Sequence, residues 1–269
     1  MPTQSHAIAN FPLPPDCFVT AAPRNDKKEG PLQTFPYVVA SEAKQSHLFF
    51  GIDLTSTTAK PSACLALDDE LQLIYFGFIA TDDDIITIQN LYSPQVIAID
   101  APLSLPLGLC CLERSCPCQP KSSEKNRKCD RELRHRGIPC YPTTKETFIK
   151  ELIYRGISLK NKLCQQGFNV IEVYPYATNT CLFGKAIPRK TTPEGISFLK
   201  QRLANLLPTL SPYLELFDHN LCDAATAAYT AFLYHQNMAE ALGDAGEGLI
   251  FIPKASQGKA SLDFYLPPC

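Results

Sequence analysis

The 269-residue chain has no tryptophan, two methionines and five histidines. None of the histidines stands in a clear sequence relation to Cys129 or Cys140, which argues against a cysteine nucleophile at either. Thirteen glycines, with no Gly-Gly-Thr turn after residue 170, are poor material for the phosphate cradle of a nucleotide-dependent kinase. The N-terminus lacks a basic region followed by an apolar stretch, so no secretory signal is expected. The longest apolar runs, such as LIYFGFIA at 73–80, fall far short of the roughly 20 residues that span a bilayer. A cytoplasmic protein with mostly reduced thiols and no membrane partner is therefore expected. No nicotinamide or flavin cofactor is expected, and no internal repeat is present.

What is there is unevenly spread. The formal net charge is only −2, but between Cys110 and Lys162 the basic residues outnumber the acidic ones by 13 to 6. That block carries +7 and the rest of the chain −9, which points to a polyanionic partner such as nucleic acid. The alternative is an ordinary solvated surface. Residues 1–46 are rich in proline and polar residues and have no sustained period. They read as a disordered leader, or as the product of a start codon placed too early. A domain is expected from 47 to 254, with a Cys-rich basic insertion at 107–142 and a tail at 255–269.

Within that domain HLFFGIDLT reads as a strand ending at Asp53. PSACLALDD and LQLIYFGFIAT read as a hairpin pair. Thr81 and the three aspartates after it open a helix with Ile85, Ile88 and Leu91 at helical spacing. PQVIAID, apolar on both faces, reads as a central strand covered on both sides. SSEKNRKCDRELRHRG is expected to be a helix closed by Gly137. TTKE at 143–146 reads as a capping box for the next helix, broken near Gly156 and ended near Gly167. FNVIEVYP is a strand. Thr192 and Pro193 open a helix with an apolar face at Ile196, Leu199, Leu203 and Leu206. NLCDAATAAYTAFLYHQNMAEALG reads as one long helix from an Asn220 cap to Gly243, and GLIFIP as the last strand. Three strands followed by alternating helices and strands match the ribonuclease H-like plan. That plan is an α/β mixed sheet, a three-strand meander beside parallel strands, flanked by helices.

Four acids occupy telling positions. Asp53 and Asp100 end strands, Glu172 lies within one, and Asp223 sits in the first turn of the Ala-rich helix. Parallel strands gather ligands beyond their carboxyl ends. Carboxylates collected there resist joint ionisation unless a cation joins them, and Mg²⁺ or Mn²⁺ prefers such oxygen ligands. Two such ions can stabilise both the attacking and the leaving oxygen of a phosphodiester. Asp53, Asp100, Glu172 and Asp223 are therefore the candidate catalytic and metal-binding residues of a phosphodiester hydrolase. Asp218 and His219 are weaker candidates.

The strings FFGIDLT, VIAIDAPLSLP, CDRELRHRGIPCYPT, IEVYPYAT, LCDAATAAYTA and EGLIFIP, in that order over roughly 47–254, resemble the family called domain of unknown function 429. Its members are described as predicted nucleases with a ribonuclease H fold. The resemblance implies that fold, and it supports the same four acids. A further acid that related resolvases and ribonucleases often place near the site has no counterpart identified here.

Cys110, Cys111, Cys116, Cys118, Cys129 and Cys140 crowd the insertion in the pattern CC-x₄-C-x-C-x₁₀-C-x₁₀-C. They are candidate ligands for zinc or, second, an iron–sulfur cluster, against the alternative of unlinked buried thiols. Cys129 and Cys140 lie inside the family-like string and could instead organise it. Arg127, Arg131 and Arg134 fall on one helical stripe, with Lys128 and Arg136 beside it, as candidate contacts to nucleic-acid phosphates. Tyr141, Tyr174 and Tyr176 could stack on bases. Two other functions stay open: a non-catalytic nucleic-acid or metal-binding protein of the same fold, and an actin-like or sugar-kinase-type phosphotransferase.

Overall fold

The computed structural model describes residues 37–38 and 47–254, apart from 122, 124 and 125. The rest of the expected leader and the whole 255–269 tail lie outside the described residues. Eight strands form one sheet: β1 (Tyr37–Val38), β2 (Phe49–Asp53), β3 (Ser62–Leu67), β4 (Leu73–Ile79), β5 (Val96–Asp100), β6 (Val170–Val173), β7 (Ala239–Asp244) and β8 (Gly248–Pro253). Their order across the sheet is β1-β4-β3-β2-β5-β6-β8-β7. The β2-β3-β4 meander is antiparallel, while β2, β5, β6 and β8 run parallel. This is the ribonuclease H-like mixed sheet expected from the sequence, extended by β7, which pairs antiparallel with β8 at the far edge.

Helices cover both faces. α1 (Asp82–Tyr92) and α3 (Lys150–Gln165) lie on one side, where Phe50, Ile52, Ile97, Ile99, Leu159 and Leu163 are buried. α5 (Pro193–Leu206) and α6 (His219–His235) lie on the other, against Phe49, Leu65, Ala98 and Val173. The side-chain alternation of each strand decides which face it feeds. α2 (Lys128–His135) and α4 (Pro175–Phe183) close a smaller third cluster with β7 and β8 around Cys129, Leu133, Ala177 and Ile252. Among the described residues no helix is long and apolar enough to cross a membrane.

α6 fixes the geometry of the site. Its residues are almost all core: Ala224, Ala225, Ala227, Ala228 and Ala231 are buried. Small side chains let the helix lie directly on β2. A Cβ on Gly51 would stand 2.0 Å from the Ala224 carbonyl oxygen and 2.2 Å from the Ala228 nitrogen. Glycine at 51 is thus the condition for that approach.

Several elements differ from the sequence reading, each for a local reason. Residues 37–38, expected in a disordered leader, pair with Phe76 and Tyr75 of β4. TTKE at 143–146 forms turns, and α3 starts only at Lys150. α3 then runs unbroken through Gly156, whose missing side chain admits the Pro102 carbonyl: a Cβ there would stand 2.9 Å from it. Pro175 starts α4, which the sequence reading left unassigned. α6 is capped by Asp218, whose Oδ1 accepts from the Asn220 and Leu221 amides at 2.9 Å each, not by Asn220. It ends at His235 because Asn237 turns left-handed at φ 58, and AEALGD becomes an edge strand. Leu91, expected on the apolar face of α1, is 75% exposed.

Candidate active site

Asp53 and Asp100 are register partners at the ends of parallel strands β2 and β5, and their side chains leave the same face of the sheet. α6 crosses that face and delivers Asp223, itself 2% exposed. Carboxylate oxygens of Asp53, Asp100 and Asp223 all lie within 4.8 Å of one another. Burial and the neighbouring carboxylates push all three up from the ordinary aspartate range. For Asp100 burial comes first and Asp223 next, to about 7. For Asp53 burial is followed by Asp100 and Asp223. For Asp223 burial is opposed by Lys190. Such a set is poorly satisfied by itself and is suited to a cation.

The residue the sequence reading missed is Lys190. Its Nζ donates to Asp223 Oδ2. Burial works against the ammonium charge, but Asp223 and Asp100 outweigh it and hold its pKa up. Lys190 comes from the irregular segment between α4 and α5, and Gly195 lets that segment in: a Cβ at 195 would stand 2.0 Å from the Arg189 carbonyl oxygen. The only sequence signal was a basic pair, Arg189–Lys190, three residues before a proline-started helix.

Glu172 lines the same cleft but is not among the three carboxylates that meet. It pairs with Ile99, one position short of Asp100, so its side chain leaves the opposite face of the sheet. There Arg127 grips it with two bonds of 2.7 Å, and Glu172 Oε2 also accepts the Leu103 amide at 2.7 Å. Arg127 continues to Asp130 at 2.8 Å and to Ser104 at 3.0 Å, and Thr143 donates to Asp130 at 2.6 Å. The network clamps the chain as it leaves β5 through Pro102. Burial pushes the Glu172 carboxyl up while Arg127 pulls it down.

The expected phosphate-binding stripe therefore fails at Arg127, which is 1% exposed and committed to two carboxylates. Arg136 is held by Glu240 in a two-bond pair of 2.6 and 3.0 Å. Lys128 sits 3.9 Å from Glu132, and Arg131 donates to the Asn126 carbonyl at 2.7 Å. Arg134 stays exposed, with one bond of 3.3 Å to the Cys140 carbonyl.

The three aspartates open into a cleft of about 590 Å³ whose wall includes Lys190, Arg189, Tyr141, Tyr174 and Tyr176. Tyr174 is spoken for by the Pro139 carbonyl at 3.0 Å. Tyr141 and Phe148, 59% and 76% exposed, meet edge to face with centroids 4.9 Å apart at the rim. Phe148 was not singled out from the sequence.

Of the six clustered cysteines, only Cys110, Cys111, Cys116 and Cys118 bring their sulfurs within 4.8 Å of one another. Cys129 and Cys140 pack instead around Leu133 and Ile138 and support α2.

The family described as "Protein of unknown function (DUF429)" matches residues 51–246. No curated protein matches. Among solved structures, one titled "Thermus thermophilus RuvC structure" is similar at 12% identity, covering 71% of this chain and 96% of that chain with a TM-score of 0.36. A likeness that distant does not bear on the chemistry.

Proposed function

Because the chain belongs to the family described as "Protein of unknown function (DUF429)", its chemistry has to be read from the cleft, and we propose that it is a divalent-cation-dependent nuclease. The observation that carries this reading is the convergence of Asp53, Asp100 and Asp223 at the carboxyl ends of parallel strands, open to a cleft. The donor set fits the cation: three hard carboxylate oxygens, all held with raised pKa values and partly balanced by the Lys190 ammonium group. Asp53, Asp100 and Asp223 would hold Mg²⁺ or Mn²⁺. When bound, such ions supply the positive charge that a phosphodiester gathers in its transition state and make water easier to deprotonate.

The chain's own residues supply the rest. Lys190 pairs with Asp223 and presents a positive charge to a phosphate entering the cleft. Arg189 and Arg134, both exposed, extend that charge along the approach. Tyr141 and Phe148 offer ring faces on which unpaired bases can stack. Glu172 and Arg127 act as a brace: they fix the strand exit that carries Asp100, and both also line the cleft wall.

A second reading is a nucleic-acid-binding protein of the same fold without catalysis. Lys190 favours it, because a lysine paired to Asp223 partly neutralises the acids without a metal. One experiment separates the two. The full-length protein is incubated with structured and single-stranded DNA and RNA, with Mg²⁺ or Mn²⁺, beside Asp100→Asn and Asp223→Asn. Cleavage lost in both variants is the expected result. Cleavage that survives either substitution overturns the proposal. Salt-sensitive binding without cleavage in any of the proteins supports the second reading.

A further inference from the structure

The chain between Pro106 and Lys121 has neither helix nor strand, and within residues 107–121 only Leu112 is buried. One buried leucine offsets little of the conformational entropy that ordering such a loop costs, about 1–2 kcal/mol per residue for the backbone alone. Yet the loop is folded on itself. The Lys121 amide closes onto the Leu107 carbonyl at 2.7 Å, and the Leu112 amide donates to the Tyr154 hydroxyl at 2.6 Å. At its centre lie the sulfurs of Cys110, Cys111, Cys116 and Cys118, all within 4.8 Å of one another.

The spacing discriminates among cross-links. Zinc bound by four thiolates at about 2.3 Å places sulfurs at tetrahedral corners about 3.8 Å apart. Cys110 and Cys116 lie 3.5 Å apart, close to that edge. A disulfide would require about 2.05 Å. An iron–sulfur cluster puts its own irons and sulfides between the thiolates and spreads them further.

We propose that Cys110, Cys111, Cys116 and Cys118 bind one zinc ion. All four positions are protein ligands, so the site is closed and structural, with no place for water or substrate. Its effect is on the neighbouring wall of the cleft. Lys145 Nζ donates to the Cys116 carbonyl at 2.6 Å, Arg114 pairs with Glu146, and Lys150 meets Glu113 at 3.1 Å. The zinc loop thereby holds the 143–154 segment, which carries Phe148 and opens α3.

This inference does not depend on nuclease activity, and its readout is metal content. The full-length protein, purified under reducing conditions, is measured by elemental analysis and X-ray absorption at the zinc edge. One zinc per chain with a shell of four sulfurs is expected. Zinc is to be lost in the Cys116→Ser, Cys118→Ser double variant and kept in Cys129→Ala and in Asp100→Asn. If the double variant does not fold, the wild-type sulfur shell decides alone. Iron in place of zinc, an oxygen or nitrogen shell, or a metal-free protein whose four thiols react without denaturant overturns the proposal.

Discussion

Asp53 and Asp100 stand opposite each other as the last register partners of two parallel strands, so that two carboxylates share one end of one sheet face. Folding raises the pKa of both, Asp100 from 3.8 to about 7, and that of Asp223 as well. The folded site therefore binds protons more tightly than the unfolded chain. In chelator-treated protein this contribution to stability is full below about pH 4 and is lost as pH rises to about 7. Urea midpoints in EDTA should be higher at pH 5 than at pH 8, and Mn²⁺ should restore more stability at pH 8 than at pH 5. Asp100→Asn should stabilise the EDTA-treated protein at pH 8 by on the order of 1–3 kcal/mol, since each tenfold change in proton affinity is worth about 1.4 kcal/mol. A midpoint independent of pH would count against the coupled cluster.

Lys190 and a divalent cation compete for Asp223. Lys190→Ala should tighten Mn²⁺ binding at pH 8 by roughly tenfold, about 1.4 kcal/mol, measured by calorimetry. Weaker binding would mean that the ammonium holds Asp223 in the binding geometry and does not compete with the cation.

Glu172 and Arg127 are predicted to govern stability. Glu172→Gln removes a two-bond charged partner but leaves Arg127 paired with Asp130, so it should cost about 1.5–3 kcal/mol in urea unfolding. Arg127→Met should cost more, about 3–5 kcal/mol, because it strands two buried carboxylates, Glu172 and Asp130. If Glu172→Gln instead leaves the urea midpoint unchanged and abolishes cleavage, Glu172 belongs with the three aspartates after all.

Gly51→Ala drives a methyl into the backbone of α6, 2.0 Å from a carbonyl oxygen. A loss of about 3 kcal/mol or more is expected, beyond the usual overpacking range, because backbone cannot rotate out of the way. Thermal unfolding checks it directly.

Tyr141→Ala with Phe148→Ala should weaken binding of single-stranded oligonucleotides by about 1–3 kcal/mol per stacked base. Both rings are largely exposed, so the melting temperature should scarcely move. Unchanged affinity in a filter-binding titration would remove the rim from the nucleic-acid path.

The strands were legible because their apolar runs are short and end in charge or turn residues, and Asp53 and Asp100 could be placed from those ends alone. Asp223 was legible as an acid near the start of a helix too alanine-rich to lie anywhere but against the sheet, although the Asp218 cap moves it out of the first turn in which the sequence reading put it. Glu172 leaves the face opposite to the three aspartates, which the sequence could not show: strand pattern tells that a residue alternates, and only the register with β5 tells to which side. Arg127 was misplaced for the same kind of reason: a one-sided basic helix looks exposed until β7 and β8 cover it, and β7 lay inside what read as the tail of α6. Lys190 was invisible because irregular segments carry no period from which to infer direction. The four metal-like cysteines could not be separated from Cys129 and Cys140 by spacing, since proximity in the loop comes from its closure at Leu107 and Lys121.

The pleat of β6 has one more consequence. Glu172 leaves one face of the sheet and Val173 the other, so a single peptide unit decides which charge each face receives: on one side three acids that attract cations, on the other an acid held by an arginine. Both groups still reach the wall of the one cleft, and Glu172 adds to the negative charge felt by Asp100. By handing Glu172 to Arg127, the alignment of β6 sets how much uncompensated negative charge is left to draw a cation.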